Sequence, residues 1–128
     1  MRNALLTLLV VSAAFLLAPH SAHAHHGWAE FDSQREITLE GTVVDFHFVN
    51  PHCVVEFDVR GETGRDHKWQ GEFSSPGQLA RKGWTAASLQ PGDRITITGN
   101  PAKRDAKAIH VTRVRLSSGE ELKVDGAR

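Results

Sequence analysis

An all-β domain with one short helix, closed into a small barrel, is what this sequence predicts. Three observations carry that expectation. Stretch after stretch alternates apolar with polar residues, the period of two that marks a strand buried on one face. Only Ser75 to Gly83 carries paired start and stop signals for a helix. Two of the strands slip in parity, which marks a bulge, and bent strands are what a small closed barrel needs.

The first strand is expected over Glu36 to Val49. Ile37, Leu39, Gly41 and Val43 share one parity, whereas Val44, Phe46 and Phe48 share the other. Gly41 is the natural place for that switch. Asn50-Pro51-His52 breaks the alternation, and Pro51 has no N–H for a ladder, so the chain turns a corner there. The second strand follows over Cys53 to Arg60. Cys53, Val55, Phe57 and Val59 point inward, and His52, Val54, Glu56 and Asp58 point outward. Gly61 to Asp66 is a polar hairpin loop. The third strand spans His67 to Phe73, with Trp69 and Phe73 inward.

Ser75 caps the helix, Pro76 suits its first position, and Gly83 suits the position past its end. Arg81 and Lys82 sit where the helix dipole favours positive charge. At barely two turns it needs Leu79 and Trp84 as anchors. Pro91-Gly92-Asp93 turns into a fourth strand, Arg94 to Gly99, with Ile95 and Ile97 inward and Thr96 and Thr98 outward. The fifth strand, Ala108 to Leu116, slips from Ile109 and Val111 to Val114 and Leu116. Glu121 to Val124 pairs back as a short closing strand. Three strands, a helix, two strands and a closing hairpin are the order of a five- to six-stranded Greek-key barrel of the OB type. An open antiparallel sandwich is the alternative.

Residues 1–24 read as a cleavable signal peptide. Arg2 gives a positive start, Ala4 to Ala18 is an uncharged apolar run, and Ala22-His23-Ala24 is an A-x-A cleavage pattern. The run is short for a membrane span of ~20 residues, so no stable anchor is expected after cleavage. Residues 25–128 then form one domain, exported to the periplasm. The full chain has net charge +0, and loss of Arg2 leaves the rest about one unit negative. No basic stripe supports nucleic-acid binding. The lone Cys53 excludes an intrachain disulfide and is expected as a small buried hydrophobe.

Cleavage after Ala24 would place His25 at the new terminus, followed by His26. A free α-amino group has a pKa of about 7.7–8.0, so a metal can displace its proton near neutrality. With the His25 ring it forms a compact chelate, and an imidazole from elsewhere would complete a nitrogen-rich site suited to copper(II), with zinc as the alternative. His52 at the Asn50-Pro51 corner is the candidate partner, and His47, outward beside Phe46 and Phe48, is a further one. The bland alternative is that histidines at a terminus are merely solvated. His67 and His110 read as surface or strand-pairing residues. No G-x-S-x-G, H-E-x-x-H or paired-cysteine motif is present, so no enzyme is expected. A second function class is a binding module, in which Trp28, Phe31, Trp69 and Trp84 line a groove for an envelope protein or small apolar ligand.

Several segments together carry a family likeness. They are His25-His26-Gly27-Trp28-Ala29-Glu30-Phe31, Ile37-Thr38-Leu39-Glu40-Gly41-Thr42-Val43, Asn50-Pro51-His52, Ser75-Pro76 leading to Arg81-Lys82-Gly83-Trp84, and Leu89-Gln90-Pro91-Gly92-Asp93. In these the chain resembles a family of small secreted bacterial proteins known mainly as a domain of unknown function. That pattern often has Ser at the position of Gly27, and Ala or another residue at that of Cys53. The resemblance implies an exported, barrel-like domain and no established activity.

Overall fold

The computed structural model describes residues 28–104 and 106–124. Six strands form one sheet: β1 (Ile37–His47), β2 (Val54–Arg60), β3 (Asp66–Glu72), β4 (Arg94–Pro101), β5 (Ala108–Leu116) and β6 (Glu121–Leu122). Their order is β3-β2-β1-β4-β5-β6, and β3 also pairs with β5. That last pairing is parallel, Gln70 to Glu72 against Ala108 to His110, and it closes the first five strands into a barrel. Closure leaves few exposed ladder edges, an advantage for a domain with no disulfide.

The barrel interior follows from the alternation. Val43, Phe46, Val55, Phe57, Ile95, Ile97, Ile109, Val111 and Val114 are buried. Gly71 stands where a side chain has no room, because a Cβ there would press on Val55, Val111 and Ile97. An α-helix, α1 (Pro76–Ala80), follows β3. Ser75 caps it, its side chain accepting from the Gln78 N–H, and Gly83 beyond the end takes φ +91. Leu79 and Trp84 are buried in the same core as Phe73 and Phe46, which holds the short helix against the barrel. The Trp84 indole N–H donates to the Lys123 carbonyl at 2.8 Å.

Four local expectations are corrected. The face switch in β1 falls between Val43 and Asp45, not at Gly41. Val44 is the extra residue, so it points out and is 36% exposed. Gly41 instead lets two strands approach: a Cβ there would meet the Phe57 ring at 2.7 Å and the Asp58 carbonyl at 2.8 Å. β1 ends at His47 rather than Val49. Val59 and Trp69 are half-buried rather than fully inside. Thr98, expected outward, is buried, with its hydroxyl 2.9 Å from that of Thr38 and its carbonyl accepting from the Thr112 hydroxyl. Thr112 is the residue left over where β5 bulges, since Thr98 faces Arg113 while Gly99 faces Val111. The expected slip in β5 is therefore present, and the Thr112 hydroxyl at the slip donates to the Thr98 carbonyl.

Candidate functional site

One face of the barrel collects chemistry from four distant parts of the chain. In the closing pair Glu72 lies opposite His110, and on its other side Glu72 lies opposite Val54 at the start of β2. His52 stands two residues before Val54, on the corner. The pleat thus turns His52 and Glu72 toward each other, and the His52 Nδ1 sits 2.8 Å from the Glu72 Oε1. A carboxylate in that position orients the imidazole through its Nδ1.

The segment before β1 covers this cluster. Residues Trp28–Glu30 form a 3-10 turn, closed by the Phe31 N–H on the Trp28 carbonyl. Phe31 is buried and bridges to Ala102, and the Asp32 N–H donates to the Pro101 carbonyl. The Lys103 N–H donates to the Glu30 carbonyl. These bonds lay the Trp28 ring on His110, with centroids 3.5 Å apart, and bring it within 5.4 Å of His52. The Phe31 ring lies 5.8 Å from His110. Trp28 and Phe31 thus dock this segment, the arm, onto the barrel.

The electrostatics reflect the cover. Burial, with a smaller contribution from His52, pushes the His110 imidazole down to about 4, so it is neutral near pH 7. Burial raises the Glu72 carboxyl, His52 pulls it back, and Glu30 adds to the rise. Neutral imidazole is the form that stacks without stranding a charge and the form that binds metals.

The sequence candidates fall into three groups. His52 is in this cluster. His25 and His26 lie outside the described residues. His47 is elsewhere: its Nε2 sits 3.4 Å from Glu56 and 3.7 Å from Asp45. The reason is register, for Asp45 pairs with Glu56 and His47 with Val54, so His47 faces those carboxylates at the end of β1. Sequence reasoning missed Glu72 altogether and read a second member of the cluster as a surface or pairing residue, His110. Its outward parity was visible, but nothing local announces that an arm covers it. Among the described residues no group of three or more His, Cys, Asp or Glu is arranged to hold a metal ion. Cys53 is fully buried, and burial pushes its thiol up, as expected for an inert residue. The proposed aromatic groove does not form from its four members, because Phe31 and Trp84 are buried in the body of the domain.

The profile of a family of unknown function, DUF6152, matches residues 13–111. The chain belongs to DUF6152. The matched span includes His25, His26, His52 and His110. No curated protein matches this DUF6152 chain. Among solved structures it is similar to the ZRD-deleted mutant of TiaS in complex with agmatine, at 18% identity and a TM-score of 0.48, over 75% of this chain and 26% of that one. It is also similar to a tRNA fluorescent labeling enzyme, at 17% identity and a TM-score of 0.43, over 66% and 18%. The DUF6152 chain thus spans about a quarter or less of the length of either.

The His110 setting predicts a pH effect on stability. Its folded value of about 4 lies below the ordinary 6.5, so the unfolded chain takes up the proton first. Stability is therefore full above about pH 6.5 and falls as the pH drops toward 4. The loss is roughly 1–2 kcal/mol, discounted because the ring is only half-buried. The raised Glu72 carboxyl acts in the opposite sense, protonating earlier in the folded state and offsetting part of the loss at the acid end. Urea melts across this range are expected to be less pH-dependent for His110→Phe than for the unaltered protein. Equal slopes would contradict the assignment.

Proposed function

We propose that this DUF6152 protein is an exported, periplasmic domain that binds a divalent transition metal, copper(II) foremost and zinc as the alternative. On this reading the ligands are the amino group and ring of His25, with His26 and His52, and the role is metal buffering or delivery. The observation that carries it is the docking of Trp28 with its ring 5.4 Å from that of His52. Two residues of chain reach at most ~7 Å and three at most ~11 Å. On this reading only two or three residues of chain separate His26 and His25 from Trp28. The Glu72 carboxylate on His52 Nδ1 supports the reading further, since metal-binding imidazoles commonly donate their other N–H to a carboxylate.

The test is a Cu(II) titration of the protein recovered after export, its N-terminus fixed by mass. Affinity well above that of a free His-His-Gly-Trp peptide is expected, with a fall of at least about tenfold in His52→Ala and in His25→Ala. His47→Ala is expected to stay within about twofold, because Asp45 and Glu56 hold that ring away from the cluster. Peptide-like affinity that ignores His52→Ala would overturn the reading.

A further inference from the structure

At the ends of β2 and β3 away from His52 and Glu72, the barrel wall parts. β1 pairs with β4 from Ile37 to Thr42, and with β2 only from Thr42 onward. Thr42 opposite Asp58 is therefore the last rung between β1 and β2. The next one due, Glu40 opposite Arg60, does not form. The bonds on the far side of each strand show which way the unpaired backbone points. The Val43 N–H donates to the Asp93 carbonyl and the Gly92 N–H to the Val43 carbonyl, on the β4 side of β1. The Gly61 N–H donates to the Arg65 carbonyl, on the β3 side of β2. Peptide groups alternate sides along a strand, so those of Glu40 face away from β4 and those of Arg60 away from β3. Both face the gap. A cavity of about 650 Å³ lies there, with Glu40, Thr42 and Arg94 on one bank and Asp58, Arg60 and Asp66 on the other.

The charges on the two banks are uneven. Arg60 is held by Asp66 at 3.3 Å. Glu40 on β1 and Asp58 on β2 have no ion-pair partner among the described residues, and together they outweigh Arg94. We infer that this gap binds an extended, cationic peptide segment, which adds as a strand beside Glu40 and carries its lysine or arginine side chains between the two carboxylates. Main-chain bonds to the unpaired groups of Glu40 and Arg60 supply the affinity, as in other cases of strand addition. The carboxylates of Glu40 and Asp58 supply the preference for positive charge. β1 has no strand on this side from Ile37 to Gly41, and that stretch sets the length of the added strand. The site lies at the other end of the barrel from the histidines and stands or falls separately from the metal reading.

The test is a calorimetric titration with the acetylated, amidated peptide Thr-Lys-Thr-Lys-Thr. Beside it run its counterpart with glutamate in place of lysine, and the lysine peptide N-methylated at alternate residues. Amide exchange of the protein is followed by NMR in the same mixtures. The lysine peptide is expected to bind and to slow exchange of the Glu40 N–H at least about tenfold. N-methylation, which removes main-chain donors, is expected to weaken binding at least about tenfold, and so is the change to glutamate. Glu40→Lys and Asp58→Lys, each established as folded by thermal melts, are expected to weaken it about 5- to 10-fold. No binding of the lysine peptide would overturn the proposal. Equal binding of the N-methylated form would show charge attraction without strand addition and overturn it. Equal binding of the glutamate form would overturn the assigned charge preference. Protection of Glu40 that appears without peptide and grows with protein concentration would make a second copy of the chain the occupant, and would overturn the proposal as well.

Discussion

Gly99→Ala is expected to destabilise the barrel by at least about 3 kcal/mol, a large share of the ~5–15 kcal/mol that holds a small domain together. Gly99 lies in β4 opposite Val111, at the place where β5 bulges. A Cβ there would run into the backbone carbonyl of His110 and lie 3.1 Å from the Ile109 side chain. A flexible side chain could move aside, but a carbonyl cannot, because β4 and β3 grip β5 from both sides. Relief must come from opening the bulge or the strand pair. Either would displace His110, so the Trp28 stack is expected to loosen along with the fold. Urea melts measure the first effect, and Trp28 fluorescence in native buffer measures the second. A variant melting within about 1 kcal/mol of the unaltered protein would show that the two strands are not packed this closely.

Phe73→Ala is expected to cost about 3–5 kcal/mol, the range for removing a fully buried aromatic ring. Phe73 is wholly inaccessible. Its ring meets Phe46 edge-on at 5.9 Å and Trp84 at 5.2 Å. Its backbone N–H donates to the Cys53 carbonyl at 2.9 Å. It therefore joins three pieces: the bulged half of β1, the corner before β2, and the segment that carries α1. Losing the ring leaves a cavity against Trp84, whose emission should shift to the red. Val49→Ala is the matched control, since Val49 is 57% exposed and should change stability by less than about 0.5 kcal/mol. Similar melts for the two variants would contradict the packing described.

Much of this fold is legible because its determinants are local. Strand alternation identifies the inward faces of β2 and β4 by counting, as Val55, Phe57, Ile95 and Ile97 illustrate. The Ser75-Pro76 start and the Gly83 stop are backbone chemistry that acts within one turn. The β5 slip is likewise readable, since parity records it directly. The β1 switch was misassigned because glycine is a plausible bulge residue, whereas the position that actually bulges, Val44, carries no such mark. Gly41 answers to the Phe57 ring across the sheet, a contact that sequence order does not reveal.

The site was half legible for the same reason. His52 could be singled out because Asn50-Pro51 marks a corner. His47 is a further candidate from sequence, and the register of β1 on β2 places it beside Asp45 and Glu56. The sequence by itself therefore determined the strands, the capped helix, the corner and a histidine-rich segment bearing an export signal pattern, because each is written in neighbouring residues. The tertiary structure alone decided that His52, Glu72, His110 and Trp28 share one face. That gathering depends on the parallel closure of β3 onto β5 and on the arm crossing the end of β4. Both join segments far apart in the chain, and no spacing or periodicity encodes which of them will meet.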